Sequence, residues 1–425
     1  MTNIGKGGYL ILQCFLMLVS PLSSLVVALI FHRNWISHLF MLIFVAYFGS
    51  RFYLGNDATN HYLDMMIWYR GHSLDEILKN RVVFLESREP YSIILKYIVS
   101  HITTSPQFFG AVIAVVYAII VMFTCFQLRK FAIDPETGDR HHSMVAMMIF
   151  LTTMTIVQFF WYQSVRYWPG VFFFTGFYLH YVRTRKPWSL IVACMCPIFH
   201  FSLFVLPFAL LLHALFGKMG YWAYLAFFMI SWLFRSIGFD VVPYIQTVIP
   251  NFATPEGIAD GAEFREYLIN YMAEIRSERN IVYTYRTTLH LFFGTALYFI
   301  GSICKLKYSR YTKTFFLLAV VLMSISNIEF ADNTFYDRFS KTSALFLWIS
   351  LTTLAYDNVS FCKRKALTMI FILLPVLFFT LATQLTEVRR TFFVAELWFG
   401  NFFTDYWGGL DEVRLKFSWL ALFLL

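Results

Sequence analysis

The sequence predicts an all-α polytopic membrane protein, organised as one integral-membrane domain over residues 1–425. Three observations predict it. The first is composition: 59% of the 425 residues are hydrophobic and 14% charged, against about 25% charged in a soluble domain. The mean hydropathy of +0.61 extends over the whole chain, more than a soluble core supplies. The second is the recurrence of apolar runs near the length of a spanning helix, about 20 residues. The third is a charge asymmetry between the links that join them.

The runs fall at about 9–31, 36–54, 107–128, 143–163, 167–182, 188–217, 220–239, 281–304, 314–330, 339–356 and 366–384. The first is too long for the apolar region of a signal peptide and lacks an A-x-A-like cleavage site, so a retained span is expected. The last apolar stretch, about 416–425, is too short to cross. The links 183–187 (RTRKP), 305–313 (KLKYSRYTK) and 362–365 (CKRK) are basic, and the 128–142 link adds Arg129, Lys130 and Arg140. By the positive-inside rule they face the cytoplasm. Segments 55–106, 240–280 and 385–415 then face outward. On this arrangement the inner side holds 15 Lys and Arg against 4 Asp and Glu, and the outer side 19 against 21. The net +9 is therefore a property of membrane topology, and no nucleic-acid partner is implied. The six cysteines lie in runs or inner links, so no disulfide framework holds the outer segments.

Parity singles out one stretch. The chain is inside at 183–187 and outside by 240, so 188–239 crosses an odd number of times. Its 52 residues span about 78 Å as helix, against a hydrocarbon core of about 30 Å. Either three short passes fit, or one pass and a re-entrant pair. Within it, MCPIFHFSLFVLPF (195–208) places His200 and Ser202 between Pro197 and Pro207, a natural turning point. About 11–13 transmembrane or re-entrant helices result. Irregular backbone at membrane depth survives only when buried in protein or lining a wet cavity.

Polar groups gather at the outer ends of the runs. Arg51 closes the second; Asp57, His61, Tyr62 and Asp64 follow it, and Glu89 lies further along in ESREPYSIILKYI. Arg166 sits in a short break, Arg286 opens the eighth run, and Asp337 and Arg338 lie between the ninth and tenth. Arginine grips phosphate and pyrophosphate bidentately and stays charged. Several at one membrane face suit a lipid-linked pyrophosphate, whose developing charge they would offset as its bond to a sugar breaks. A carboxylate or imidazole in reach could deprotonate a sugar hydroxyl, and Asp57 and His200 are the two candidates. Arg51 and Arg338 also suit snorkelling anchors. The segment 240–280, with seven acids and three arginines, is a candidate lid. No phosphate-binding loop, dinucleotide fingerprint, H-E-x-x-H helix or D-x-D pair appears, so energy must come from the substrate or from a gradient.

The order of these elements carries a resemblance. An Arg closes the second run; GNDATNHY, EPYSIILKYI, VRYWPGVFFFTGFYLH, IFHFSLFVLPF and YDRFS follow. This resembles the EpsG family of Wzy-like polysaccharide polymerases over about residues 45–350. The motifs correspond to Arg51, Gly55, Asp57, Glu89, Pro90, Arg166, His200, Ser202 and Arg338; the spacing from Asp57 to Tyr62 is longer than the family's. The resemblance implies a fold similar to the C-type integral-membrane glycosyltransferases. It also implies polymerisation of oligosaccharide units carried on undecaprenyl pyrophosphate, at the outer face of a bacterial cytoplasmic membrane. Donor and acceptor would both be lipid-linked, with no metal or other cofactor and room for a chain-length regulator as partner. In that role Asp57, His200, Arg166 and Arg338 are catalytic candidates, and Arg51, Tyr62, Glu89, Arg286 and Asp337 bind substrate or orient the others. A flippase or transporter for a lipid-linked glycan would instead need polar groups continuing across to the inner side. A membrane sugar O-acyltransferase would need an acyl-donor site reachable from inside.

Overall fold

The computed structural model describes residues 6–31, 34–51, 66–79, 90–133, 143–157, 165–236, 281–328 and 333–391. Among them the chain is helical, with no strand. The elements are α1 (Lys6–Val19), α2 (Pro21–Ile30), α3 (Trp35–Arg51), α4 (Met66–Gly71), α5 (Leu74–Lys79), α6 (Pro90–Ile102), α7 (Pro106–Arg129), α8 (Met144–Ile156), α9 (Tyr167–Thr184), α10 (Pro187–Cys194), α11 (Val205–Met219), α12 (Tyr221–Ser236), α13 (Ile281–Ile303), α14 (Arg310–Ile328), α15 (Asn333–Asp357), α16 (Val359–Arg364) and α17 (Ala366–Thr391). Three helical stretches, Gln107–Ala132, Phe201–Met219 and Arg310–Ile328, are long and apolar enough to cross a membrane; seven shorter apolar helices accompany them. Large apolar side chains stand exposed along α1, α2, α10, α11, α12 and α17, a periphery suited to hydrocarbon rather than water.

Several helix starts are written in the sequence. Ser105 precedes Pro106 and accepts from the Phe108 N–H (3.4 Å); Ser143 accepts from the Ala146 N–H (3.0 Å). A serine cap followed by proline at the first helical position satisfies one donor and removes another. The same device at Ser20-Pro21 divides the first apolar run. There the structure departs from the single span expected over 9–31. The Tyr9 ring meets Phe31 at 5.3 Å, and the Gln13 amide lies 2.6 Å from the Ser24 hydroxyl. Helices α1 and α2 therefore fold back as a hairpin, with Tyr9 and Phe31 at one end. The physical reason is Pro21, which cannot continue α1 and starts α2 instead.

Between 187 and 236 the chain runs as three helical legs, of which Phe201–Met219 is long and apolar enough to cross a membrane. Along α9, Ser189 lies at His180, Phe199 at Phe173 and Leu203 at Gly170, so α10 runs antiparallel to α9. The backbone turns at His200 (φ −154°, ψ 129°). The chain then returns as one helical stretch, Phe201–Met219. Gly220 (φ +93°) makes the next turn, a left-handed position that a side chain would strain. Helix α12 runs back to bring Arg235 to Asn327 and Tyr336.

Helix α15 is the axis. Its residues from Phe339 to Tyr356 are buried, wrapped by α8, α13 and α14. It is rich in Ser and Thr, and these hydroxyls bridge to neighbours. Ser343 donates to the Ala319 carbonyl (2.7 Å), Ser350 to the Thr312 carbonyl (2.7 Å), and Thr352 lies 2.9 Å from Thr153. Small polar residues allow close approach and add interhelical hydrogen bonds. Glycine serves the same end between α3 and α7: a Cβ on Gly49 would lie 2.6 Å from the Gly110 carbonyl oxygen and 2.5 Å from the Ala114 Cβ. Gly49→Ala is expected to cost about 1–3 kcal/mol, read as a lower unfolding midpoint.

The bundle has a basic end. Phe131, beyond α7, stacks edge-on with Tyr311 of α14, and the Lys307 N–H donates to Asn358 Oδ1 (2.9 Å). The links 183–187, 305–309 and 362–365 thus collect with Arg129 and Lys130, as the charge asymmetry requires. Arg166, His200, Arg235 and the start of α15 lie at the opposite end.

Candidate functional site

At that opposite end, three elements separated in sequence meet around one ring. Tyr167 opens α9 and is buried. The His200 ring approaches it edge-on (5.7 Å between centroids, 85°), and the Arg338 guanidinium sits over its face at 5.0 Å. The Tyr167 hydroxyl lies 3.3 Å from Thr342 Oγ1, one turn along α15 from Arg338. Arg166 adjoins Tyr167, and both guanidinium charges, from Arg338 and Arg166, act on the His200 ring. Cation–π stacking orients the Arg338 fork while leaving its edge donors available. Among the described residues Arg338 forms no salt bridge.

His200 is fixed by its own turn. Its Nδ1 accepts from the Ser202 N–H (3.1 Å) and lies 2.9 Å from the Ser202 hydroxyl. A backbone N–H only donates, so this contact assigns Nδ1 as acceptor and places the proton of the neutral ring on Nε2. For His200 to act as base, Nδ1 would have to leave this contact. In this tautomer Nε2 donates, and Nδ1, the basic nitrogen, is already engaged. Ser202→Ala keeps the backbone donor, so a loss of only about 1 kcal/mol is expected; His200→Ala removes the ring and should cost far more activity, read side by side in one assay.

The resemblance has Asp337 bind substrate or orient the catalytic candidates. Its carboxylate binds the Lys341 ammonium one turn along α15, while Lys341 is buried at 5% exposure. The reason is helical spacing: residues i and i+4 share a face, whereas Arg338, the next residue, projects elsewhere. Asp337 thus neutralises a buried lysine beside the site.

Asp57, Tyr62 and Glu89 lie outside the described residues, as does the segment 240–280. Arg51 ends α3 and Arg286 lies in the first turns of α13. The structure brings together Arg166, His200 and Arg338, with Asp337 one residue away. The sequence reading missed Tyr167, although it adjoins Arg166, because an aromatic within apolar sequence carries no sign of being a hub. It also missed Tyr91, beside Pro90 at the start of α6, whose ring packs on Phe199 at 4.5 Å and brings that helix to the His200 turn. Arg235 was missed too. It donates to Tyr336 (3.1 Å) in the first turn of α15 and to Asn327 (3.3 Å) at the end of α14. Among the described residues no group of three or more His, Cys, Asp or Glu is placed to hold a metal ion.

Chemically, two guanidinium groups gathered with one imidazole at one end of the bundle suit an anion with several oxygens, such as a phosphate or pyrophosphate. Compared with family models, curated proteins and solved structures, the chain finds no match in any of the three.

Proposed function

We propose that this chain is a multi-pass enzyme of a bacterial cytoplasmic membrane that joins oligosaccharide units carried on undecaprenyl pyrophosphate into a surface polysaccharide, a Wzy-like polymerase of the EpsG type. One observation carries the reading: Arg166, His200 and Arg338, from three separate parts of the chain, converge at the end of the bundle opposite its basic links. Under the positive-inside rule that end faces outward.

In this reading a hydroxyl of the acceptor sugar attacks the anomeric carbon of the donor. The new glycosidic bond forms as the bond to the pyrophosphate oxygen breaks. Arg166 and Arg338 offset the negative charge that collects on that oxygen. His200 Nε2–H donates to a phosphate or sugar oxygen. The hydroxyl proton passes to a carboxylate, for which Asp57 is the candidate. The glycosyl pyrophosphate bond supplies the energy.

Flipping of a lipid-linked glycan is the second reading, and one feature speaks for it: α15 carries Ser and Thr along its length. Those hydroxyls bond to neighbouring helices, which fits packing better than a polar path. The O-acyltransferase reading finds less support, as the basic end offers charged links rather than an acyl-donor site.

The test supplies purified protein in nanodiscs with lipid-pyrophosphate-linked repeat units alone. A ladder of polymers is expected. Intact units with folded protein would refute the reading, and their appearance on the other leaflet of a sealed vesicle would favour flipping.

A further inference from the structure

At the basic end, α7 and α9 run side by side and finish together. A Cβ at Gly176 would meet Phe123 and Thr124; seven residues on, Arg183 stands beside Lys130, close enough for the two charges to act on each other. Arg185, in the left-handed conformation (φ 59°), ends α9 and turns the chain back. Lys186 follows at the start of α10, and Ser189 locks that start to His180 (Oγ to Nδ1, 2.6 Å). The charges of Arg183, Lys130 and Lys186 all converge on His180.

Like charges gathered this closely repel one another. Among the described residues none of these three cations forms a salt bridge, and Arg183 Nε is buried with no hydrogen-bond partner. The two helix C-termini contribute about half a negative charge each, which offsets roughly one cation of the three. The charge left among the described residues suits an anion.

The surroundings indicate which anion. Below the cations, α9 packs between α7 and α10. Phe177 of α9 lies 4.9 Å from Phe123 of α7 and 6.2 Å from Trp188 of α10, an aromatic row across the three helices. Phe126 and Trp188 are half exposed on the periphery, and the Lys130 ammonium sits 4.0 Å over the Phe126 ring. Cations above an aromatic row on a lipid-facing surface match a charged head on a hydrocarbon tail.

We propose that this face of α7, α9 and α10 binds an anionic phospholipid, with its phosphodiester held by Lys130, Arg183 and Lys186 and its acyl chains along Phe177 and Trp188. The site is remote from Arg166 and Arg338 and independent of the reaction proposed for them.

The experiment titrates the full chain in detergent with phosphatidylglycerol, phosphatidylcholine or inorganic phosphate, reading the unfolding midpoint and, by native mass spectrometry, retained lipid. Phosphatidylglycerol should raise the midpoint by several degrees and remain bound; the other two should not. Arg183→Gln/Lys186→Gln should remove that response, while Lys363→Gln/Arg364→Gln, with equal charge loss at the same end, should keep it. Should the first pair fail to fold, Lys186→Gln, an exposed linker position, should weaken retention by about fivefold. Equal loss in both pairs, an unchanged response in the first pair or in Lys186→Gln, or an equal shift with inorganic phosphate would overturn the proposal.

Discussion

Arg338→Ala is expected to lower polymer formation by about 10²–10³-fold, the range seen when one preorganised donor to a developing charge is removed. The unfolding midpoint should barely move, because Arg338 is not fully buried and its described side-chain contact is the Tyr167 face. Arg338→Lys should recover part of the activity: an ammonium keeps the charge but loses the planar fork and its stacking. Arg166→Ala should fall in the same range. Full activity in both alanine variants, measured in the nanodisc ladder assay, would refute the assignment of these residues to the pyrophosphate.

Gly170→Val should have the largest structural effect. A Cβ at this position would lie 2.2 Å from Leu203 Cδ1 and 2.8 Å from the Phe199 Cβ. Both neighbours belong to the turn that holds His200, and both are buried. The turn must move away from α9, which carries His200 away from Tyr167. Overpacking of this kind costs about 1–3 kcal/mol or more. The variant is expected to melt several degrees lower and to lose activity beyond what the melting shift explains. Gly170→Ala should follow the same direction with a smaller effect. A folded valine variant with undiminished polymerisation would show that the position of the turn is unimportant to the reaction.

Much of this architecture was legible from hydropathy and charge. The basic links announced one end of the bundle because Lys and Arg are costly elsewhere. Counting crossings pointed to a turn near His200, and helix length against bilayer thickness limited the choices to two. What hydropathy could not separate was one long run from two shorter helices. The 9–31 run reads as continuous because Leu and Val are apolar on either side of a turn; only Ser20-Pro21 marks it. Helix α15 illustrates the opposite failing, since its Ser and Thr read as a weak span although it is the most enclosed helix. The site was legible as a set of arginines and a histidine, since charged groups stand out against an apolar background. Tyr167 did not stand out among 86 aromatic residues. The tautomer of His200 depends on a backbone N–H two residues away, which no spacing rule reveals.

The enclosure of α15 has a consequence for how the chain is made. A helix emerging from the ribosome is partitioned into lipid by its own side chains, and one with Lys341, Asp337 and a stripe of hydroxyls is a poor candidate for lateral release alone. Its hydroxyls find their partners on α14, made just before it. In a membrane these two helices would insert as one unit, with α14 supplying the hydrophobicity and α15 docking with it against α8 and α13, which are already made. The axis of the mature protein would then depend, during synthesis, on the helix that precedes it.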